Sequence, residues 1–311
     1  MTGASKHRHS AALRRGLRLI VPALPYGWLI IFFLVPFAVV LKLALSRATS
    51  TMPPYSPLFS LSEGLSGLAS FVAGLTTDNF ELLVEDLFYA DAVLSSLRMA
   101  AIATVILVAI GFPIAYAIAK AAAGWRPLLV MLIMLPFWTS FLIRVYAWIG
   151  ILRPEGILDT VLLWIGLIDQ PLGLLNTNAA VLIGLVYCYL PFMVLPLYAT
   201  LDKMDWTLLE AAADLGSRPW RAFWRITVPL ALPGIAAGAL LSFIPIVGEY
   251  VIPELLGSAE TLMIGKTLSD EFFKNRDWPL ASAVAVVLLI VIVGPVMLYR
   301  AIETRRLEAA R

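Results

Sequence analysis

Two carboxylates, Glu249 and Glu254, stand at the end of a long apolar run in GEYVIPELLG. An ionised carboxylate in such a setting is costly unless it faces water, a partner or a cationic ligand. Five residues of α-helix rotate the second acid by about 500°, or about 140° net, so one straight helix cannot aim both at one point. Pro253 lies between them and could break the helix to bring them together. Tyr250, Trp138, Tyr146, Trp148, Tyr187 and Tyr189 add aromatic faces, each able to attract an ammonium group by about 0.5 to 2 kcal/mol. The same rings also suit plain anchors at a membrane interface. Glu249 either serves a cation, pairs with Arg144 or faces outer water. Asp270 and Glu271 either attract cations, contact a partner or form a solvated face, and Asp277 reads as a helix cap.

Other chemistries are excluded by what the motifs lack. Gly265-Lys266-Thr267 looks like the end of a phosphate-binding loop, but the full pattern needs a glycine where Glu260 stands. No HExxH and no GxSxG elbow occurs. The single cysteine, Cys188, lies in an apolar run and reads as a packing residue. His7 and His9 sit in a basic tail, from which no metal site can be assembled. The expectation is a non-catalytic chain with no cofactor and no metal.

The elements that must hold these residues are membrane helices. The chain of 311 residues is 60% hydrophobic and 14% charged, with a mean hydropathy of +0.88, far beyond a soluble domain. A net charge of +2 gives no field that suggests nucleic acid. A bilayer core needs roughly 20 apolar residues per helix, and six runs qualify: about 21–45, 92–119, 128–152, 179–200, 228–256 and 280–301. Breaks such as Gly111-Phe112-Pro113 and Leu190-Pro191 suit either bends that line a cavity or packing around small residues.

Charge placement sets the orientation. Lys6, Arg8, Arg14, Arg15 and Arg18 precede the first run, and Lys120 with Arg126, the group Lys203, Arg218, Arg221 and Arg225, and Arg305, Arg306 and Arg311 fall on the same side. The opposite side receives Glu63, Asp78, Glu81, Glu85, Asp86 and Asp91. Both ends are therefore expected in the cytoplasm. The organisation reads as a basic tail 1–20, a membrane domain 21–301 and a tail 302–311. No signal peptide is expected, because the first run is too long for one. Short helices are expected from Asp78 and over Leu158 to Ile168 in the two outer segments.

The segment Glu210 to Pro229, EAAADLGSRPWRAFWRITVP, is a charged, helix-forming stretch in a loop 201–227 between two oily spans. Asp205 suits the N-cap of a helix from Trp206 to Leu215, and Gly216 suits the left-handed residue that ends it. Ser217 and Pro219 then suit the start of a second short helix, Trp220 to Ile226. Ala211, Ala212 and Ala213 leave a narrow face, and Glu210 and Arg218 can make charged contacts at its rim. From periodicity alone this is either a docking element for a soluble partner or a hairpin on lipid headgroups.

Glu210-Ala211-Ala212, Gly216, Ile226 and Pro229 resemble, in type and spacing, the EAA motif of type I ATP-binding cassette (ABC) importer permeases; Val228 departs from the usual leucine. The resemblance extends over about Asp78 to Arg300. LPFWTSFLIRVYAWIGILRPEGIL, YLPFMVLPLYATL, GEYVIPELLG and TLMIGKTLSDEFFKNRDWPLASA look like permeases of spermidine and putrescine importers, the putrescine type most of all. It implies an all-α, polytopic fold with six transmembrane helices in a bacterial inner membrane. It implies that Glu210, Ala211, Ala212, Gly216 and neighbouring Ser217 and Arg218 form the coupling helix region that docks on an ATPase. The implied partners are a second homologous permease, a pair of cytoplasmic ABC ATPases and an external polyamine-binding protein. Glu249, Tyr250, Glu254, Trp138, Tyr146, Trp148, Tyr187, Asp270 and Glu271 are the candidates for the path of a polyamine, which needs spaced negative or π-rich sites weak enough to release it.

Overall fold

A computed structural model describes residues 22–58 and 64–309. The basic tail 1–20, with its five cations and two histidines, and the end of the last tail lie outside the described residues, as does Glu63. In chain order the helices are α1 (Pro22–Ala44), α2 (Gly64–Ala73), α3 (Asp78–Glu85), α4 (Leu87–Lys120), α5 (Arg126–Trp138), α6 (Phe141–Leu152), α7 (Ile157–Trp164), α8 (Asn178–Leu201), α9 (Thr207–Asp214), α10 (Pro219–Val247), α11 (Val251–Leu256), α12 (Ile264–Phe273) and α13 (Trp278–Ala309). A short antiparallel ladder pairs β1 (Arg47–Ala48) with β2 (Tyr55–Ser56). The fold is thus mostly helical, with this small ladder as a departure from a purely α chain.

Among the described residues four helices are long and apolar enough to cross a membrane: α1, α4, α8 and α10. The run 128–152 does not form the straight span expected of it. It is divided into α5 and the α6–α7 segment, bent by 88°. The cause is local: Pro136 lies in a 3-10 turn that closes α5, and Thr139 and Ser140 are extended at ψ 153° and 139°. The apolar part of α13, Trp278–Gly294, is shorter than the four long spans. Prolines within the long helices, Pro113 in α4, Pro191 and Pro196 in α8, and Pro233 and Pro245 in α10, are tolerated where neighbours re-satisfy the freed carbonyls.

The chain divides into two compact units, Met1–Glu85 with Glu271–Val291, and Asp86–Asp270 with Ile292–Arg311. In the first, Ala44, Ala283 and Val286 are buried together with Val40, Phe80 and Leu83 against them. Asp277 caps α13 through a 2.9 Å bond from the Leu280 N–H, the role its position suggests. The expected helix from Asp78 forms, and α2 before it carries no strong sequence signal.

The second unit holds the candidate site. Its centre is a bundle of α4, α8 and α10, where Leu107, Leu185, Met193, Leu197, Leu201 and Ile246 are fully enclosed. Polar caps start two of these helices: Asp86 accepts from the Phe88 N–H at 2.9 Å and Thr177 from the Ala180 N–H at 3.2 Å. Cys188 is buried in the same bundle.

Candidate functional site

At one end of the bundle, α9 and the start of α10 form the expected helix, turn and helix. Asp205 opens α9: its Oδ1 accepts from the Thr207 hydroxyl at 2.7 Å and the Thr207 N–H at 3.0 Å. Those two bonds, the hydroxyl's first, hold the Asp205 carboxyl below its ordinary pKa. The helix closes in a Schellman turn, with Ser217 N–H bonded to the Ala212 carbonyl and Gly216 N–H to the Ala213 carbonyl, each at 2.9 Å. Gly216 sits at φ +77° with open space where a Cβ would point. Arg218 precedes Pro219, which starts the next helix.

The second helix is longer than expected. Pro219–Ala222 runs through a π-helical stretch at Phe223–Thr227 directly into the apolar Val228–Val247 segment, so α10 is one element rather than a separate short helix. Beneath the turn, Tyr116, Lys120, Leu209, Ala213, Ser217, Ala222, Phe223 and Thr227 enclose a cavity of about 160 Å³. Tyr116 meets Trp206 and Phe223 edge to face at 5.7 and 5.9 Å, and the Lys120 ammonium lies over the Tyr116 and Trp206 rings. Arg126 ties the other side of this end to Asp202 at 2.7 Å. Loop and helix ends bearing Lys120, Arg126 and Lys203 therefore share one end of the unit, as the charge pattern requires.

On the loop's surface the alanines read in the sequence lie beside bulkier apolar side chains. Ala211 and Ala213 are exposed and Ala212 is half-buried, with Ala213 also at the rim of the pocket. Glu210, Gly216 and Arg218 are exposed and Ser217 is half-buried. Sequence reasoning missed the apolar side chains beside them, Leu215 at 89% exposure and Trp220 at 69%. Their signal was present as bulky apolar residues flanking the glycine turn.

At the other end of the unit, the two carboxylates have separate tasks. The helix breaks at Gly248–Tyr250 and not at Pro253, which falls in the first turn of α11, where a proline needs no N–H partner. Glu249 makes the break possible. Its Oε1 accepts the N–H groups of Tyr250, Val251 and Ile252 at 3.2, 3.0 and 3.4 Å, while Tyr189 donates its hydroxyl to Oε2 at 2.5 Å. Only 8% of Glu249 is exposed, and both oxygens are occupied. Arg144 forms no ion pair with it among the described residues. That guanidinium instead lies over Phe137 at 4.7 Å and Phe141 at 5.6 Å. Phe137, Phe192 and Tyr189 form an aromatic file from Arg144 to Glu249.

Glu254 is the reachable acid. Its side chain is 42% exposed, and the Lys266 ammonium stands 3.8 Å from Oε2. Tyr250, at the break, is exposed, as are Trp138 and Tyr146. Trp148 and Tyr187 meet edge to face at 5.4 Å and line an apolar groove of about 380 Å³ with Ile106, Ile110, Leu182 and Ile183. That lining suits hydrocarbon better than ammonium. Asp270 follows on α12, whereas Glu271 belongs to the first unit, where it accepts from Asn275 Nδ2 at 2.8 Å. Tyr189 and Lys266 are the residues here whose parts the sequence did not disclose.

The family model described as "binding-protein-dependent transport system inner membrane component" matches residues 120–307. The chain belongs to this family. The permease is 40% identical over 281 residues to the spermidine/putrescine transport system permease protein PotB of Haemophilus influenzae, covering 90% of this chain and 92% of that one. It is 45% identical over 224 residues to PotB of Escherichia coli K12, covering 72% and 81%. The permease's fold matches the crystal structure of a bacterial ABC transporter involved in import of the acidic polysaccharide alginate, at a TM-score of 0.69, 18% identity and coverage of 96% and 99%. The resemblance drawn from the EAA segment thus holds at the level of family and fold. The permease is a multi-pass inner-membrane component, a transport subunit rather than an enzyme.

Proposed function

We propose that the permease forms the path by which polyamines, putrescine and spermidine, enter the cell through an ABC importer. The observation that carries this reading is the 40% identity, over 90% of the chain, to a spermidine/putrescine transport system permease. Six spans complete the membrane domain 21–301: α1, α4, the broken α5–α7 segment, α8, α10 and the apolar part of α13. Tails 1–20 and 302–311 and the loop 201–227 are cytoplasmic. A second homologous permease, a pair of ABC ATPases and an external polyamine-binding protein complete the importer.

Glu210, Ala211, Ala212, Gly216, Ser217 and Arg218 dock on the ATPase, with Leu215 and Trp220 as apolar anchors beside them. This assignment is supported by an exposed, hydrogen-bonded turn whose second helix is continuous with a membrane helix. ATPase closure moves the turn, and α10 carries the movement to the break at Glu249. On the outer side Glu254, Tyr250, Trp138, Tyr146 and Asp270 meet the cargo, and Glu271, in the first unit, is a separate candidate for cargo contact. Glu249 acts by holding that break, and Trp148 and Tyr187 act by packing against each other along the apolar groove. Cargo-stimulated ATP hydrolysis in the reconstituted complex tests the reading. Stimulation by putrescine or spermidine is expected, and stimulation only by some other solute defeats the cargo assignment.

A further inference from the structure

Lys266 is left over from the rejected phosphate-loop likeness, and its position is built with care. The Ile264 N–H donates to Ser96 Oγ at 2.8 Å, fixing the first turn of α12. A Cβ on Gly265 would lie 2.6 Å from the Glu249 carbonyl oxygen, so only glycine lets this turn press against the break. From that base the Lys266 ammonium donates to the Ser258 carbonyl at 3.2 Å and stands 3.8 Å from Glu254. Its side chain is 14% exposed, whereas that of Glu254 is 42% exposed.

The two distances matter. A tight charge-assisted N–H···O bond closes to about 2.7–2.9 Å, so Lys266 is held loosely, by the Ser258 carbonyl at 3.2 Å and more weakly by the Glu254 carboxylate at 3.8 Å. Glu254 remains approachable from its exposed side by a second, freer ammonium. Lysine carries its ammonium on a four-carbon stem, which is chemically the aminobutyl end of putrescine or spermidine. A seat that fits one fits the other.

On the premise of a polyamine cargo, we propose that Lys266 is a tethered stand-in for that cargo, occupying an ammonium seat made by Glu254 and the Ser258 carbonyl until an arriving ammonium displaces it. The tether weakens cargo binding, as a transport path requires, and makes Lys266 a residue that sets affinity without contacting the cargo's whole length. A loosely held cation near an exposed acid acts over a modest range, about threefold in affinity.

The test is equilibrium dialysis of radiolabelled putrescine and spermidine against the purified complex of both permeases and the ATPases, without the binding protein. Lys266→Met is expected to bind about threefold more tightly than wild type. Lys266→Gln, which keeps a donor for the Ser258 carbonyl and so guards against misfolding, should do the same, and Lys266→Arg should not. In a Glu254→Gln background the gain should vanish. Equal affinity of wild type and both neutral variants overturns the seat while leaving the cargo reading intact. No polyamine binding by any form overturns the cargo reading, and the seat with it.

Discussion

Replacing Gly216 isolates the geometry of the proposed coupling turn from its chemistry. The residue sits at φ +77°, and an added Cβ meets nothing within 4 Å. Any penalty is therefore backbone strain alone, about 1–2 kcal/mol for an ordinary L-residue in the left-handed region. That is roughly a 5- to 30-fold loss in the ratio of the native turn to its alternatives. Asparagine tolerates this region better than alanine, and a β-branched residue tolerates it worse. The expected order of coupling is Gly216, then Asn, then Ala, then Val. Cargo-stimulated ATP hydrolysis of the reconstituted complex reads it, with limited proteolysis of residues 205–227 as a structural companion. Membrane abundance should not change, because the turn lies outside the apolar bundle. Alanine coupling as well as glycine, or asparagine coupling worse than alanine, would refute the argument.

Glu210→Lys should abolish uptake while the permease still inserts, since the side chain is exposed and the helix loses only about 0.3–1 kcal/mol of dipole interaction; uptake assays with immunoblots of membranes decide it. Tyr189→Phe should lower stability by about 1.5–3 kcal/mol, the worth of a hydrogen bond to a charged group, and Glu249→Ala should lower it further, because three backbone N–H groups lose their acceptor. Thermal unfolding in detergent would contradict this if the two variants matched wild type. For Asp205 the folded pKa is depressed, so its contribution is complete above the unfolded value of about 3.9 and is lost as pH falls through the lower folded value. Thr207→Val should raise that pKa and move the loss to higher pH, read by proteolysis of the loop at acidic pH; an unmoved profile would dismiss the cap.

The helix–turn–helix at Gly216 was legible because its determinants are local. Asp205, Gly216 and Pro219 each act on neighbours within a few residues, and the observed bonds are those their types imply. What followed was less legible: nothing in FWRITVP announces that α10 continues through a π-helical stretch. Long-range partners were out of reach. Glu249 looked like a cargo acid because its second oxygen is taken by Tyr189, which lies on another helix. Pro253 drew attention as the breaker, yet a proline in a first turn is compatible with helix and Gly248 ends the span. The bend after Trp138 rests on extended backbone at Thr139 and Ser140 that the apolar run concealed. Aromatic positions were visible in type but not in role, so Trp148 and Tyr187 looked the same as Tyr250 until the groove separated them.

Uptake of radiolabelled putrescine and spermidine into vesicles carrying the two permeases and the ATPases, with the binding protein outside and ATP inside, tests the account most directly. ATP-dependent accumulation that unlabelled polyamines suppress and neutral sugars do not is the predicted result. Accumulation without ATP, or none at all from a complex that hydrolyses ATP, would contradict it.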